Sequence, residues 1–411
     1  MDLVQSPSMP QRGLRNWQLF ALLLAVLGEL FLAGDWYGFA AVMPFVAKSL
    51  SLSPGQAGFG QGAFAITYAI GMVIWSPLGR KMSARMLFAI GLVGAGIAMV
   101  LQAQVQTYAM LIVMRLLIGF FDAAVWVGTM KLIVGWFPLK RHGMTMGALL
   151  AAFSFAITLD FAIGIPVSEA HGWRVFFEAM GIATLAVGVF GALTIKGSPR
   201  ELGLVDFSWE EGPAHTRIEA SSPWSVFKSK WVYVGGLAIF GDTFAIGAVT
   251  TWVVPAFIET QGMPVASAAA IGSTMGLAQV VILLIGGWLS DRVSRTTMVK
   301  VGAALCVVSA LSFVFAVKTA LPWSGMLAIS AFSGVVVLSG GAIFSLVSEK
   351  YGESMAATAI GFAELGGIIS TFIAPALMGA IIGATHSFTL AFGVFAVVEV
   401  VIFGVLLVAA R

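Results

Sequence analysis

Long apolar blocks separated by short polar breaks run the length of the chain. A helix that crosses a bilayer needs roughly 20 mostly apolar residues. Twelve blocks meet that need: 18–47, 55–79, 84–104, 107–136, 141–168, 174–195, 230–258, 264–289, 297–317, 321–347, 354–383 and 386–410. Within each block the apolar residues are continuous rather than alternating, which predicts helices and not barrel strands. The one long polar stretch, Lys196 to Lys230, contains Pro199, Pro213 and Pro223 and lies between the sixth and seventh blocks. The pattern predicts an all-α membrane protein of two six-helix bundles, over 1–195 and 231–411, joined by a linker at 196–230. The halves repeat weakly. Pro44 precedes Arg85 across one short loop and one span, and Pro255 precedes Arg295 across the same elements. Two pseudo-symmetric bundles leave such a repeat.

Composition agrees. Of 411 residues, 59% are hydrophobic and 10% are charged, against about 25% charged in an average soluble domain. The mean hydropathy is +0.98. These values exclude a soluble enzyme, a disordered chain and a collagen-like fibre. Polar residues continue through Asn16 and the block that follows is too long for a signal-peptide core, so no cleavable signal is expected. The net charge of +3 would suggest nucleic acid in a soluble protein; here it is expected to orient the chain. With both termini in the cytoplasm, seventeen of the 22 Lys and Arg fall in cytoplasmic segments, and three (Lys48, Arg174, Lys318) fall outside. That positive-inside bias predicts a cytoplasmic-membrane protein with cytoplasmic termini. A single cysteine, Cys306, excludes an intramolecular disulfide, and four scattered histidines give no metal-ligand spacing, so no metal or cofactor is expected.

Charges inside the spans carry the functional signal, because a charge at mid-bilayer costs at least ~2.5–3.5 kcal/mol and usually faces a cavity or a partner. Arg115 is the one central base. Glu29, Asp35, Asp122, Asp160, Asp242 and Glu364 are the acids, and an acid excess of this kind can carry protons. Arg115 and Asp122 are two helical turns apart, on one face but about 10 Å from each other. Asp35 and Asp122 are read as proton-coupling acids, with Arg115 as their switchable partner or as an anion ligand; the alternative is a static ion pair. Glu29 lies off the Asp35 face and suits a gate or packing role. Glu364, Asp242 and Asp160 are possible further acid sites, or helix-to-helix hydrogen bonders. Lys131 is expected to snorkel, and Glu178 and Glu399 receive no role. Trp36, Tyr37, Tyr68, Trp126 and Trp252 are candidates to line a cavity, with packing or an interfacial belt as the alternative.

The loop after the eighth block reads Gly286-Gly287-Trp288-Leu289-Ser290-Asp291-Arg292-Val293-Ser294-Arg295. It resembles the signature loop of the major facilitator superfamily, Gly-x-Leu-x-Asp-Arg-x-Gly-Arg, with Ser294 at the last Gly. That resemblance assigns Gly287, Asp291, Arg292 and Arg295 to a gating latch. The N-terminal copy departs: Ser76 replaces its first Gly, and Arg80 or Lys81 stands at the Asp position. Further residues resemble the anion:cation symporter branch of proton-coupled organic-anion carriers. These are Asp35, the Phe64-x-x-x-Tyr68 pair, Arg115-x-x-x-Gly119-x-x-Asp122-Ala123, Trp136-Phe137-Pro138 with Lys140-Arg141, and Gly172-Trp173-Arg174. Many members of that branch place Arg beside the first-span Asp; this chain has Trp36. The antiporter pattern of the fifth span is absent, with Gly164-Ile-Pro166 only an echo of it.

The resemblance implies a central cavity worked by alternating access, and a proton-coupled symporter of a small organic solute, an organic anion by kinship. Expected partners are that solute, protons and the lipid bilayer, with no nucleic acid, and the chain is expected to be a monomer and not an enzyme. Two alternatives stand beside this reading. One is a carrier of cationic or amphiphilic compounds using the acids and aromatics. The other is a transport-dead sensor of the same fold, against which the short termini and linker count.

Overall fold

In the computed structural model the described residues are 11–79, 81–137, 142–203, 223–290 and 292–410. Among them, twelve helical segments are long and apolar enough to cross a membrane, as the blocks predict. The first half holds α1 (Gln11–Leu50), α2 (Pro54–Leu78), α3 (Ala84–Gln102), α4 (Tyr108–Trp136), α5 (His142–His171) and α6 (Trp173–Thr194). The second holds α7 (Lys230–Gln261), α8 (Val265–Ser290), α9 (Arg295–Ala316), α10 (Trp323–Phe332), α11 (Gly340–Thr385) and α12 (Phe388–Ala409). Short polar breaks become helix starts because their hydroxyls satisfy orphan amides. Ser53, Ser83, Thr107, Ser294 and Ser387 each accept from the backbone amide three residues on. At Ser53 the Gln56 side chain returns the bond, completing a capping box with Pro54 at the first helical position.

The second half departs from the predicted blocks in two places. The tenth crossing, Trp323–Tyr351, is not one α-helix. It runs as α10, a 3-10 segment at Ser333–Val337 and the first turns of α11. The expected loop between the tenth and eleventh crossings is itself helical, so helical backbone continues from Gly340 to Thr385. The chain nevertheless reverses there. Val347 Cβ and Ala363 Cβ lie 3.9 and 3.5 Å from the position a Cβ on Gly235 would take. A straight helix would hold them about 24 Å apart.

Within the first half, α1 packs on α4 and α5, and α3 on α4 and α6. In the second, α7 packs on α11 and α9 on α12. The halves meet through α2 against α11 and α5 against α8. Glycines allow the closest approaches. A Cβ on Gly119 of α4 would stand 2.7 Å from the Phe64 carbonyl carbon of α2, so no larger residue fits without separating the two helices. Arg80, Pro138 to Arg141, Asp291 and 204–222 of the expected linker lie outside the described residues.

Candidate functional site

The closed end of the interface between the halves is near the α1–α2 and α7–α8 connections. There the start of α2 meets the second half of α11: a Cβ on Gly58 would lie 3.0 Å from both the Pro375 carbonyl carbon and the Trp252 ring. Beside it, a Cβ on Gly276 of α8 would lie 2.6 Å from the Thr158 amide nitrogen of α5. From mid-height toward the opposite ends, where α6 finishes and α7 starts, the halves part around a cavity of about 190 Å³. Its wall draws on α1, α2, α4 and α5 from one half and on α7, α8, the tenth crossing and α11 from the other.

Helical geometry decides which α1 residues reach it. Glu29, Leu32 and Trp36 are spaced three and four apart and form one stripe on the cavity. That stripe turns Asp35 into the bundle. Tyr37, Tyr68 and Trp126 also line the wall. So do Glu29, Asp242 and Glu364, which gives three carboxylates from two halves. Among the described residues the wall contains no lysine, arginine or histidine. The remaining surface is largely aromatic: Trp36 packs on Phe64, Tyr68 and Phe153, at ring-centre distances of 4.5, 4.9 and 6.0 Å.

The structure sets Arg115 away from the cavity wall, which corrects its expected place as a lining ligand. Its side chain is fully buried. Nε donates to Gly60 O at 3.1 Å, Nη1 to Asp35 O at 2.8 Å, and Nη2 to Trp36 O at 3.2 Å and Gln61 O at 3.0 Å. The guanidinium lies over the Phe39 and Phe64 rings, 5.1 and 4.9 Å from their centres. Arg115 thus clamps the backbones of α1 and α2 together, and its planar fork suits four diverging carbonyls.

The carboxylates of Asp35 and Asp122 flank that clamp without bonding to it. Asp35 Oδ1 accepts from Thr184 of α6 at 3.4 Å, and Oδ2 finds no hydrogen-bond partner among the described residues. Asp122 Oδ2 accepts from Trp36 Nε1 at 2.9 Å, and Oδ1 is unpartnered. Asp122 therefore touches the cavity through one ring, which itself forms part of the wall. Asp160 lies beside α1, its Oδ1 3.5 Å from the Cβ position of Gly34. Gln61, which the sequence reading passed over, donates to Trp36 O at 3.0 Å and fixes the same turn of α1.

Other expected positions divide. Trp252 is off the cavity: its Nε1 donates to Pro375 O at 3.1 Å, which ties α7 to α11 at the closed end. Asp242 accepts from Ser339 Oγ at 3.1 Å and from Cys306 Sγ at 3.8 Å. Lys131 Nζ reaches the α2–α3 connection and donates to Gly79 O at 2.7 Å and Met82 O at 2.5 Å, capping the carbonyls after α2. In the expected gating loop, Arg295 pairs with Glu349 Oε1 at 2.5 Å and donates to Ser345 O. Arg292 lies 3.9 Å over the Trp288 ring, and nothing crowds Gly287. Asp291 is outside the described residues.

Comparison with known proteins places this geometry. The family profile described as Major Facilitator Superfamily matches residues 25–367. A probable sulfoacetate transporter of Cupriavidus necator is 23% identical over 371 residues, covering 87% of this chain and 86% of its own. A hexuronate transporter of Bacillus subtilis is 23% identical over 386 residues, 90% of each chain. In three dimensions, the crystal structure of a bacterial homolog of the human lysosomal transporter Spinster, inward-facing and unoccupied, superposes with a TM-score of 0.78. It covers 98% of both chains at 16% identity, and so speaks for the fold alone.

Proposed function

We propose, from the premise that the chain belongs to the Major Facilitator Superfamily and is a membrane transporter, that it couples proton entry to symport of a small organic anion by alternating access. Asp35 and Asp122 are the proton-coupling acids of this reading. The observation that carries it is the contact of Asp122 with Trp36. A carboxylate with one unpartnered oxygen holds a ring of the cavity wall by its indole N–H. Protonating Asp122 weakens a charge-assisted bond and frees Trp36, so the proton state of the bundle reaches the solute. The excess of Lys and Arg in the loops on the linker side supports a cytoplasmic location for that side and for the open end of the cavity. The described conformation is then inward-facing, in a cytoplasmic membrane, and the transporter works as a monomer.

The anion assignment draws on what the relatives are named for. The wall adds a condition. Three carboxylates with no base among the described residues repel an anion while they are ionised. Once protonated, the same groups donate hydrogen bonds to a carboxylate or sulfonate. Anion binding must therefore take up protons and tighten as pH falls. The same wall favours a second reading, an organic cation or amphiphile held by ionised Glu29, Asp242 and Glu364 among aromatic rings. Cation binding would release protons and weaken as pH falls.

A thermal-shift series on the purified full-length protein decides between them. Mono- and dicarboxylates, sulfonates, sugar acids, amines and lipophilic cations are each added at about pH 5.5 and about pH 8, on either side of neutral histidine chemistry. A ligand of the folded state raises the melting temperature by mass action. The expected result is stabilisation by carboxylates or sulfonates, larger at the acid pH. Hits confined to amines and lipophilic cations, larger at the alkaline pH, would sink the anion reading and leave the second.

A further inference from the structure

Behind Asp242, in the interior of the second half, lies a polar cluster with no part in the reading above. Glu399 of α12 is fully buried. Neither of its carboxylate oxygens has a hydrogen-bond partner among the described residues. Its Oε2 stands 3.3 Å from the position a Cβ on Gly241 would take, next to Asp242 in sequence. Asp242 is supported as an anion. Ser339 and Cys306 both donate to it. Ser339 also stands where the helix restarts after the 3-10 segment, and its hydroxyl is spent on Asp242, with no cap bond to its own helix. The positive end of α11 thus begins beside the carboxylate.

We propose that Asp242 and Glu399 share one proton and form a second proton site, internal to the C-terminal half and opening to the cavity through Asp242. An ionised carboxylate with no donor and no solvent costs several kcal/mol to bury, so Glu399 needs the proton. Asp242, with two donors and a helix start, can hold the charge. Asp242 lines the cavity and Glu399 does not, so protons exchange with Glu399 by way of Asp242. The groups facing Asp242 are Cys306 from α9, Ser339 from the tenth crossing and Glu399 from α12, with Glu364 of α11 and Glu29 of α1 on the shared cavity wall. None of these is a base. When a second proton reaches Asp242 from the cavity, the charge that holds Ser339 at the break is lost, and the tenth crossing is released against α7. Asp242 is also one of the three wall carboxylates that meet the solute in either reading, but the site does not depend on the roles of Asp35 and Asp122.

Cys306 is the chain's single thiol, and it supplies the reporter. Its S–H stretching band lies in an uncrowded part of the infrared spectrum and moves to lower frequency when the acceptor gains charge. The experiment follows that band in full-length protein in lipid nanodiscs between about pH 5 and about pH 9. In the wild type the band should shift downward through one titration at constant intensity. In Asp242→Asn it should stay still. In Glu399→Leu the full shift should remain, with its midpoint at least about one pH unit higher, a tenfold change in proton affinity, because the proton that Glu399 shares with the Asp242 carboxylate is gone. Where Leu at this position fails to fold, Glu399→Met carries the same expected direction. A wild-type band that ignores pH, a band that still titrates in Asp242→Asn, or a midpoint unchanged by replacing Glu399 would each overturn the proposal.

Discussion

Arg115→Lys, although it keeps the charge, is expected to lose most transport and to melt on the order of 10 °C lower, from a loss of about 3–5 kcal/mol. The reason is geometric. Four backbone carbonyls from two helices receive the guanidinium, spread over Asp35, Trp36, Gly60 and Gln61. A lysine offers three donors from a single point and cannot reach across both helices. It also loses the stacked contact with Phe39 and Phe64. Arg115→Met removes the same bonds without leaving a poorly solvated charge, so the conservative change should be at least as damaging as the neutral one. Melting curves of the two variants with the wild type check this. A Lys variant that melts and transports like the wild type would refute the clamp.

Gly58→Leu is the second large effect, and it acts on conformation. Gly58 lies in the closed end of the interface, where a Cβ would meet the Pro375 carbonyl and the Trp252 ring. Each half retains its own packing when the two part, so the variant should fold. What it cannot do is close that end, because a leucine side chain has no room between α2 and α11. The expected result is a protein that melts near the wild-type temperature, with transport reduced at least about tenfold, which corresponds to 1.4 kcal/mol against the closed state. Paired spin labels on the α1–α2 and α7–α8 connections should report a longer distance than in the wild type. An unchanged distance with full transport would show that closure of this end is not part of the cycle.

Much of the fold was legible because bilayer physics writes itself in block lengths. The apolar runs place all twelve crossings, and Ser or Thr before a run marks where several helices begin. Facing was not legible. These helices are apolar on nearly every side, so periodicity says little about which stripe meets the cavity. One residue of rotation separates Trp36, on the wall, from Asp35, inside the bundle. The partners of Arg115 were invisible for a different reason: they are backbone carbonyls, which any sequence supplies. The broken tenth crossing did leave a trace in Ser333-Gly334 and Ser339-Gly340-Gly341, but a hydropathy window passes over small residues. Glu399, at the middle of α12, received no role because a single carboxylate in a span can be accounted for by snorkelling or local pairing. Only its full burial sets that explanation aside.

In the proposed cycle protons drive transport through the acids of the first half, Asp35 and Asp122. The direct test uses proteoliposomes loaded by an imposed pH gradient, with a labelled ligand from the thermal-shift series and the wild type beside Asp122→Asn. The account predicts accumulation above equilibrium in the wild type when the outside is acid, collapse of that accumulation on adding an uncoupler, and loss of gradient-driven accumulation in Asp122→Asn while exchange of internal for external ligand continues. Wild-type accumulation that is indifferent to the pH gradient and to the uncoupler would contradict it.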